Sequence, residues 1–79
     1  MTATPLAGAT AVDGAKVRAS REALGLSRVE LAEKATAMSG IHVSARTVEN
    51  VEMEVAEIST PRLRALVLAL GVTADEVLR

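Results

Sequence analysis

The fold is decided by two stretches of sequence, SRVELAEKA at residues 27–35 and VSARTVENVE at residues 43–52. Each contains a serine that can cap a helix, because its hydroxyl accepts a backbone N–H that the first turn leaves unpaired. In the first stretch, Glu30 stands three residues after Ser27 and completes a capping box. Apolar residues then recur at helical spacing in both stretches. The sequence therefore predicts two short, capped helices in tandem.

The second of these helices is predicted to have a small, polar exposed side. When Val48, Val51 and Glu52 face inward, the helical repeat leaves Arg46 and Asn50 outward. Two such helices in tandem are the sequence form of a helix-turn-helix, whose second helix can enter a DNA major groove. Arginine can bond guanine at O6 and N7, and asparagine can bond adenine at N6 and N7. The two outward residues are candidates for contacting bases, although a merely solvated helix face would have the same composition.

The remaining sequence adds three predicted helices and an N-terminal arm. Residues 1–12 have no charged side chain and little periodicity, so we expect a flexible arm there. Capping residues and glycines set the other helix ends. The predicted helices run over about 13–24, 28–38, 45 to beyond 53, 60–70, and from 73 onward. No stretch predicts a strand. We expect an all-α, compact five-helix domain over residues 13–79, with the helix-turn-helix formed by helices 2 and 3.

The composition excludes several classes of protein. The 79 residues include no Phe, Tyr, Trp or Cys. They therefore suit one small aliphatic domain without disulfides or thiolate metal sites, which fits the reducing cytoplasm. The absence of aromatic stacking platforms argues against proteins that read single strands or RNA loops. No apolar run approaches the roughly 20 residues that a membrane span needs.

No constellation in the sequence predicts catalysis or a cofactor. His42 is the single histidine, and a metal site would need further ligands of the kind that cysteine or a second histidine supplies. It is expected to be a loop residue. No serine stands in an arrangement with His and Asp that would activate it, and no glycine-rich phosphate loop is present. We expect a protein that is not an enzyme and has no metal, cofactor or small-molecule substrate.

The charge balance leaves two classes of function open. The net charge is −1 and the pI is near 5.8, whereas phosphate contact usually leaves a basic footprint. Six of the nine basic residues lie before residue 47, and four glutamates crowd residues 49–57. Such an asymmetry can still present one basic face to DNA. The acidic run equally favours a module that binds another protein.

The ordered series of caps, spacings and helix ends resembles the lambda-repressor-like DNA-binding domain of the Xre/Cro family. The resemblance covers about residues 13–79. It is carried by Arg18-x-x-Arg21, Gly25-Leu26-Ser27, Leu31-Ala32, Ser44-x-x-Thr47-Val48, Val51-Glu52, Pro61, Leu70-Gly71-Val72 and Glu76-Val77-Leu78.

The resemblance implies roles for residues at the two tandem helices. Ala45, Arg46 and Asn50 match the positions that reach base edges, where alanine can touch a thymine methyl. Hydroxyl, guanidinium and backbone N–H groups at helix N-termini suit phosphate, and cations further along the helices add to them. The expected phosphate contacts are Ser27, Arg28, Ser44, Lys34 and Arg18. Capping alone would also account for both serines, and solubility for the more peripheral cations.

The sequence departs from the family pattern at three places. Arg28 stands where the family usually has glutamine. Seven residues, 36–42, separate Ala35 from Val43 where a single glycine is typical, so helix 2 must be extended or the turn enlarged. The family usually ends helix 3 with Glu-x-Gly, whereas this chain has an acidic, glycine-free sequence at 52–54, which predicts a longer helix 3.

Two charged residues occupy core-facing positions in otherwise apolar helical stripes. Arg21 lies in the stripe of helix 1, and Glu52 lies in that of helix 3. Because an unpaired buried charge is costly, the two are predicted to form a structural ion pair that joins these helices. The resemblance implies the same pair.

These patterns lead to one expected function and one alternative. We expect sequence-specific binding of double-stranded DNA by a transcriptional repressor or Cro-like regulator of bacterial or phage type, acting in the cytoplasm at the nucleoid. The alternative is a protein-interaction module on the same fold, such as an antitoxin-like or antirepressor partner, without DNA binding. Val72, Val77 and Leu78 predict a weak homodimer through helix 5, or else they complete the monomer core.

Overall fold

A computed structural model describes residues 9–10, 12–54 and 58–78 of the chain. Four α-helices account for most of these residues: α1 Gly14–Ala23, α2 Arg28–Ser39, α3 Ala45–Glu52 and α4 Thr60–Leu70. The other described elements are two short strands, β1 Ala9–Thr10 and β2 Ile58–Ser59, and a 3-10 turn at Ala74–Glu76. The all-α class is confirmed, with four helices and a 3-10 turn in place of five helices.

The first three helices begin at the capping residues that the sequence predicts. The carboxylate of Asp13 accepts two backbone N–H groups of α1. Ser27 Oγ accepts the N–H of Glu30 at 3.0 Å, and Glu30 Oε1 accepts the N–H of Ser27 at 2.8 Å. Ser44 Oγ accepts a first-turn N–H of α3 at 3.1 Å. These bonds satisfy donors that a helix start otherwise leaves unpaired, so they fix where each helix begins.

The core is aliphatic, and α2 contacts both α4 and α3 while α1 packs against α3. Its largest fully buried side chains are Leu31, Leu66, Val17, Val48 and Val77. The start of α1 comes so close to the end of α3 that a Cβ on Gly14 would clash with the carbonyl oxygen of Glu52. Only glycine fits at this contact, which brings the two helices together near their charged residues.

The C-terminal segment corrects the expectation of a fifth helix. The sequence predicts a capping box of Thr73 and Glu76, and Glu76 Oε2 does accept the N–H of Thr73 at 2.6 Å, but the helix ends after one 3-10 turn. The N–H groups of Val77 and Leu78 still donate to the carbonyl of Ala74, but the carbonyl of Val77 accepts the N–H of Asp13 at 2.8 Å, and Leu78 forms a bridge with Val12. Val77 is fully buried within the chain, so it completes the monomer core.

The N-terminal segment corrects the expectation that no strand forms. β1 pairs with β2 in antiparallel register, and Val12 is buried. Pairs this short escape a search for alternating apolar residues, which needs four residues or more. Within the predicted flexible arm, residues 1–8 and 11 lie outside the described residues, and those that are described pair or pack with the domain.

Helix α3 is shorter than the sequence predicts. It ends at Glu52, and Glu54 adopts the left-handed conformation with φ 56°, as glycine would. The Glu54 carboxylate accepts the N–H of Gly14 at 3.1 Å, which gives this uncommon conformation a compensating bond at the start of α1. Val55, expected on the buried face of a longer helix, lies outside the described residues.

Helical periodicity in the sequence predicts that Leu24 and Met38 lie on buried helix faces, but both lie at the surface. Leu24 is exposed because α1 has already ended at Ala23. Met38 is 49 % exposed, in a groove beside Pro61 and Leu68 of α4. The last turn of α2 carries Met38 past the end of the core, so helical periodicity alone overestimates its burial.

Candidate nucleic-acid interface

The turn between α2 and α3 is built from an extended helix and a loop together. Helix α2 continues to Ser39, and Gly40 caps it with φ 75° and a bond from its N–H to the carbonyl of Thr36 at 2.9 Å. Glycine suits this place because other residues pay a steric cost in the left-handed conformation. Residues 41–44 then lead into α3. The sequence predicted either an extended helix 2 or an enlarged turn, and the structure has both.

Two hydroxyl groups in the last turns of α2 close this enlarged turn. Thr36 Oγ1 accepts the N–H of Val43 at 2.9 Å and donates to the carbonyl of Ala32 at 2.9 Å. Ser39 Oγ donates to its own helix and accepts the N–H of Ile41 at 2.9 Å. Because Val43 is buried, the Thr36 hydroxyl satisfies a backbone donor that water does not reach easily. The turn thus holds the residues that precede α3 in place.

The outer side of α3 has the polar character that the sequence predicts. Arg46 is exposed, while Ala45 and Asn50 are half-buried. Within the described residues, no carboxylate lies within 4.0 Å of the Arg46 guanidinium, which leaves it available to a ligand. The three positions matched to base contacts therefore lie on one short helix whose first turn is capped by Ser44.

The structure brings together the two residues that the sequence pairs. Arg21 Nε donates to Glu52 Oε2 at 2.6 Å, and Nη2 donates to Oε1 at 3.0 Å, so the pair is bidentate. A third bond joins Arg21 Nη1 to the carbonyl of Leu26 at 2.8 Å. The Glu52 side chain is only 1 % exposed, and Arg21 is 9 % exposed as a residue. This pair links α1 to the end of α3.

Arg28 extends the pair into a cluster of four charges, which we call the charged cluster: Arg21, Arg28, Glu49 and Glu52. Arg28 Nε donates to Glu52 Oε1 at 3.1 Å, and its Nη1 donates to Glu49 Oε2 at 3.4 Å. Sequence reasoning placed Glu49 in the acidic run but did not predict its contact with Arg28. The signal was present, because Glu49 and Glu52 are three residues apart on α3 and so lie on neighbouring positions of one helix surface.

The charged cluster shifts the protonation equilibria of its buried members. Burial by itself would raise the pKa of Glu52, but hydrogen bonds from Arg21 and Arg28 together with their charges outweigh it and hold that pKa below its usual value. The hydrogen bond to Glu52 raises the pKa of Arg21 against the opposing effect of burial. Both groups therefore stay ionised near neutral pH.

The other residues predicted to contact phosphate are distributed around this face. Ser27 is exposed and Ser44 is half-buried, and each uses its hydroxyl oxygen as a helix cap. Lys34 is exposed on α2. Arg18 makes an exposed bond to Glu22 of the same helix at 3.3 Å, an arrangement that water and salt weaken strongly. The structure thus places Arg28, alone of the five, in contact with α3 carboxylates.

The described residues hold no arrangement for two other kinds of site. Within residues 12–54 and 58–78, no three His, Asp or Glu side chains converge as metal ligands would. His42 is exposed in the loop before α3. Across the same residues, every helix is too short or too polar to traverse a lipid bilayer.

Comparison with known protein families agrees with this geometry. A model of the helix-turn-helix family, of the Xre/Cro type, matches residues 17–77. That match covers well over half of the chain, so the chain belongs to this family of DNA-binding, non-enzymatic domains. Searches of curated proteins and of solved structures gave no significant match.

Proposed function

From membership of the helix-turn-helix family, we propose that this protein binds double-stranded DNA sequence-specifically with α3 in the major groove. In this proposal it acts as a transcriptional repressor or Cro-like regulator of bacterial or phage type, at the nucleoid. The observation that carries it is the exposed guanidinium of Arg46, which no carboxylate of the described residues contacts, on a helix that α2 holds at Glu52 and just before its first residue. A fixed helix can present base-reading groups with little loss of conformational entropy on binding.

Two residues of α3 suit base recognition by position and by chemistry. Arg46 is in the first turn and Asn50 is four residues later, so both lie on one side of the helix. An arginine bonded to guanine and an asparagine bonded to adenine would read two different base pairs. Ala45, at the start of α3, is small enough to approach a thymine methyl. These three residues would supply specificity.

The phosphate contacts would supply affinity. The N-termini of α2 and α3 carry Ser27 and Ser44, and backbone donors at helix starts favour anions. Arg28 would contact phosphate at the start of α2, and Lys34 and Arg18 would add peripheral contacts. Because the net charge is −1, we expect few counterions to be released and hence a shallow salt dependence and a modest affinity per monomer.

The experiment compares Arg46→Ala with the parent on a preferred duplex and a scrambled duplex at two salt concentrations. A duplex can be found by gel shift with the DNA that flanks the protein's own gene. We expect a loss of about 1–3 kcal/mol on the preferred duplex and loss of discrimination at one base pair. Arg62→Ala, an exposed arginine on α4, is the matched control and should bind like the parent.

Two outcomes would overturn parts of this proposal. Equal losses on both duplexes would make Arg46 a phosphate contact without a role in specificity. Failure of the parent to bind any duplex would favour the protein-interaction alternative. One observation favours that alternative. The charged cluster has two positive and two negative groups, so it gives no net positive charge where DNA would approach.

We also propose that DNA helps to assemble a weak homodimer on two half-sites one helical turn apart. Val72 and Leu78, which are only half-buried, would form the contact between the two subunits. Val77 would not take part because it belongs to the monomer core. Such a surface is small, so association in solution should be weak. Sedimentation showing a strict monomer at high concentration, together with binding to single half-sites, would overturn the dimer.

A further inference from the structure

We infer that Glu49 limits DNA affinity by neutralising Arg28, so that a guanidinium at the start of α2 is partly withheld from phosphate. The inference rests on the proposed function, because it concerns the strength of DNA binding at that same surface. Arg28 is the first residue of α2, where the helix start already favours an anion. Glu49 is on α3, beside the residues proposed to read bases. The contact between them joins the two helices of the motif.

The two carboxylates bonded to Arg28 differ in burial and in what else holds them. Glu52 is almost completely buried and receives two bonds from Arg21, so it is a fixed part of the fold. The Glu49 side chain is 47 % exposed, and the Arg28 side chain is 34 % exposed. Incoming phosphate can therefore reach the side of Arg28 that meets Glu49, whereas it cannot reach Glu52.

Glu49 cancels the net positive charge that the charged cluster would otherwise have. Arg21 and Arg28 contribute two positive charges, and Glu49 and Glu52 contribute two negative charges, which sum to zero. Without Glu49, the cluster would have a net charge of +1 at the start of α2. A phosphate that approaches Arg28 must now also approach a carboxylate whose Oε2 lies 3.4 Å from Arg28 Nη1. Repulsion between these two anions offsets part of the attraction.

The test measures binding of the whole protein to a mixed-sequence duplex of about two helical turns, so no operator is required. Glu49→Gln keeps the shape of the side chain and removes its charge. We expect roughly two- to fivefold tighter binding, as for release of an exposed ion pair. The salt dependence should steepen by about one phosphate contact, because a freed guanidinium can displace one more counterion. Fluorescence anisotropy across a salt series gives both quantities.

Two comparisons separate this effect from a general change in charge. Glu33→Gln removes the same charge from an exposed position of α2 whose carboxylate bonds no arginine among the described residues. In an Arg28→Gln background, which retains a donor for Glu52, Glu49→Gln should gain no more than Glu33→Gln does. A gain from Glu49→Gln that equals the control, or that persists undiminished without Arg28, would overturn the inference.

The outcomes also distinguish this inference from the proposed function. If the parent binds DNA and Glu49→Gln binds equally well, only the inference fails. If neither the parent nor any variant binds a duplex, both fail. Should Arg28→Gln not fold, the salt slopes of Glu49→Gln and Glu33→Gln decide the matter by themselves, since only a newly formed phosphate contact steepens the slope by about one unit.

Discussion

The two ends of α2 both hold α3, but they do so with opposite chemistry. The N-terminal end contributes Arg28, which bonds carboxylates of α3 within the charged cluster. The C-terminal end contributes the hydroxyl of Thr36, which bonds the backbone just before α3. Charges act over longer distances and respond to salt and acid, whereas a neutral hydroxyl bond acts at contact and responds to neither. Helix α3 is therefore positioned by one contact that salt and acid can weaken and by another that they leave unchanged.

The difference follows from what each end faces. The N-terminal end faces Arg21 of α1 and Glu52 of α3, which are both buried charges. Burying either one without the other would be costly. At the C-terminal end, the buried group is a backbone N–H, which needs a single acceptor and no charge. Each end therefore matches its buried partner, with charge for a carboxylate and a neutral acceptor for a backbone N–H.

Glu52→Gln should have the largest effect, because it leaves Arg21 buried without its carboxylate. Breaking a buried pair in this way costs about 3–5 kcal/mol, a large part of the stability of a small domain. Thermal and denaturant unfolding measure the loss. A melting temperature within about one or two degrees of the parent would show that the pair is not structural.

Acid should destabilise the parent through the N-terminal end of α2. The pKa of Glu52 is lower in the folded state than in the unfolded state. At acidic pH the folded state therefore binds fewer protons than the unfolded state does. The contribution of Glu52 to stability is therefore complete above the ordinary value of 4.5 and is lost as the pH falls through the lower, folded-state pKa. Hydrogen bonds from Ser27 lower the pKa of Glu30 in the same direction.

This acid dependence is measured as the free energy of unfolding from neutral pH downward, in the parent and in Glu52→Gln. The variant should lose less stability than the parent over the acidic range, because one carboxylate with a lowered pKa is gone. Thr36→Val, altered at the other end of α2, should follow the parent curve. Parallel curves for the parent and Glu52→Gln would contradict the expectation.

Thr36→Val should have an intermediate effect that does not depend on salt. Valine matches threonine in shape but cannot accept the N–H of Val43, which then lies buried without a partner. The expected loss is about 1–3 kcal/mol in the free energy of unfolding. Thr36→Ser retains the hydroxyl and is the control. Equal destabilisation by both variants would assign the effect to packing and not to the hydrogen bond.

Glu49→Gln should have the smallest effect on stability. Its bond to Arg28 is 3.4 Å long and joins two partly exposed side chains, so its loss should cost about 0.2–1 kcal/mol. High salt should remove the difference from the parent, since screening already weakens such a pair. A loss as large as that of Glu52→Gln would show that the exposed and buried carboxylates act as one unit.

The helix starts were predictable because their causes are local. A cap needs only the capping residue and the next three residues, as Ser27 and Glu30 illustrate. The pair of Arg21 and Glu52 was also predictable, since each position breaks an apolar stripe with a charge that requires a partner. The third member, Arg28, was expected to contact phosphate. Its bonds to Glu49 and Glu52 depend on how α2 and α3 cross, which periodicity does not specify.

The errors at the helix ends have the same origin. The Thr73 capping box predicted a fifth helix, but the backbone of Val77 bonds Asp13, sixty-four residues away in sequence. Likewise, α3 was expected to continue through a glycine-free segment, yet Glu54 takes up the conformation of a glycine and bonds the start of α1. In both places a partner distant in sequence supplies the bond that ends the helix.

The all-α class, the starts of the first three helices, the helix-turn-helix and the polar side of α3 could all be predicted, because each depends on residues within about two turns of a helix. The helix ends, the strand pairs and the partners of Arg28 could not. Those depend on distances between segments that only packing brings together. The proposed readers of DNA are thus local features, while the charge that DNA would meet beside them is a property of the folded domain.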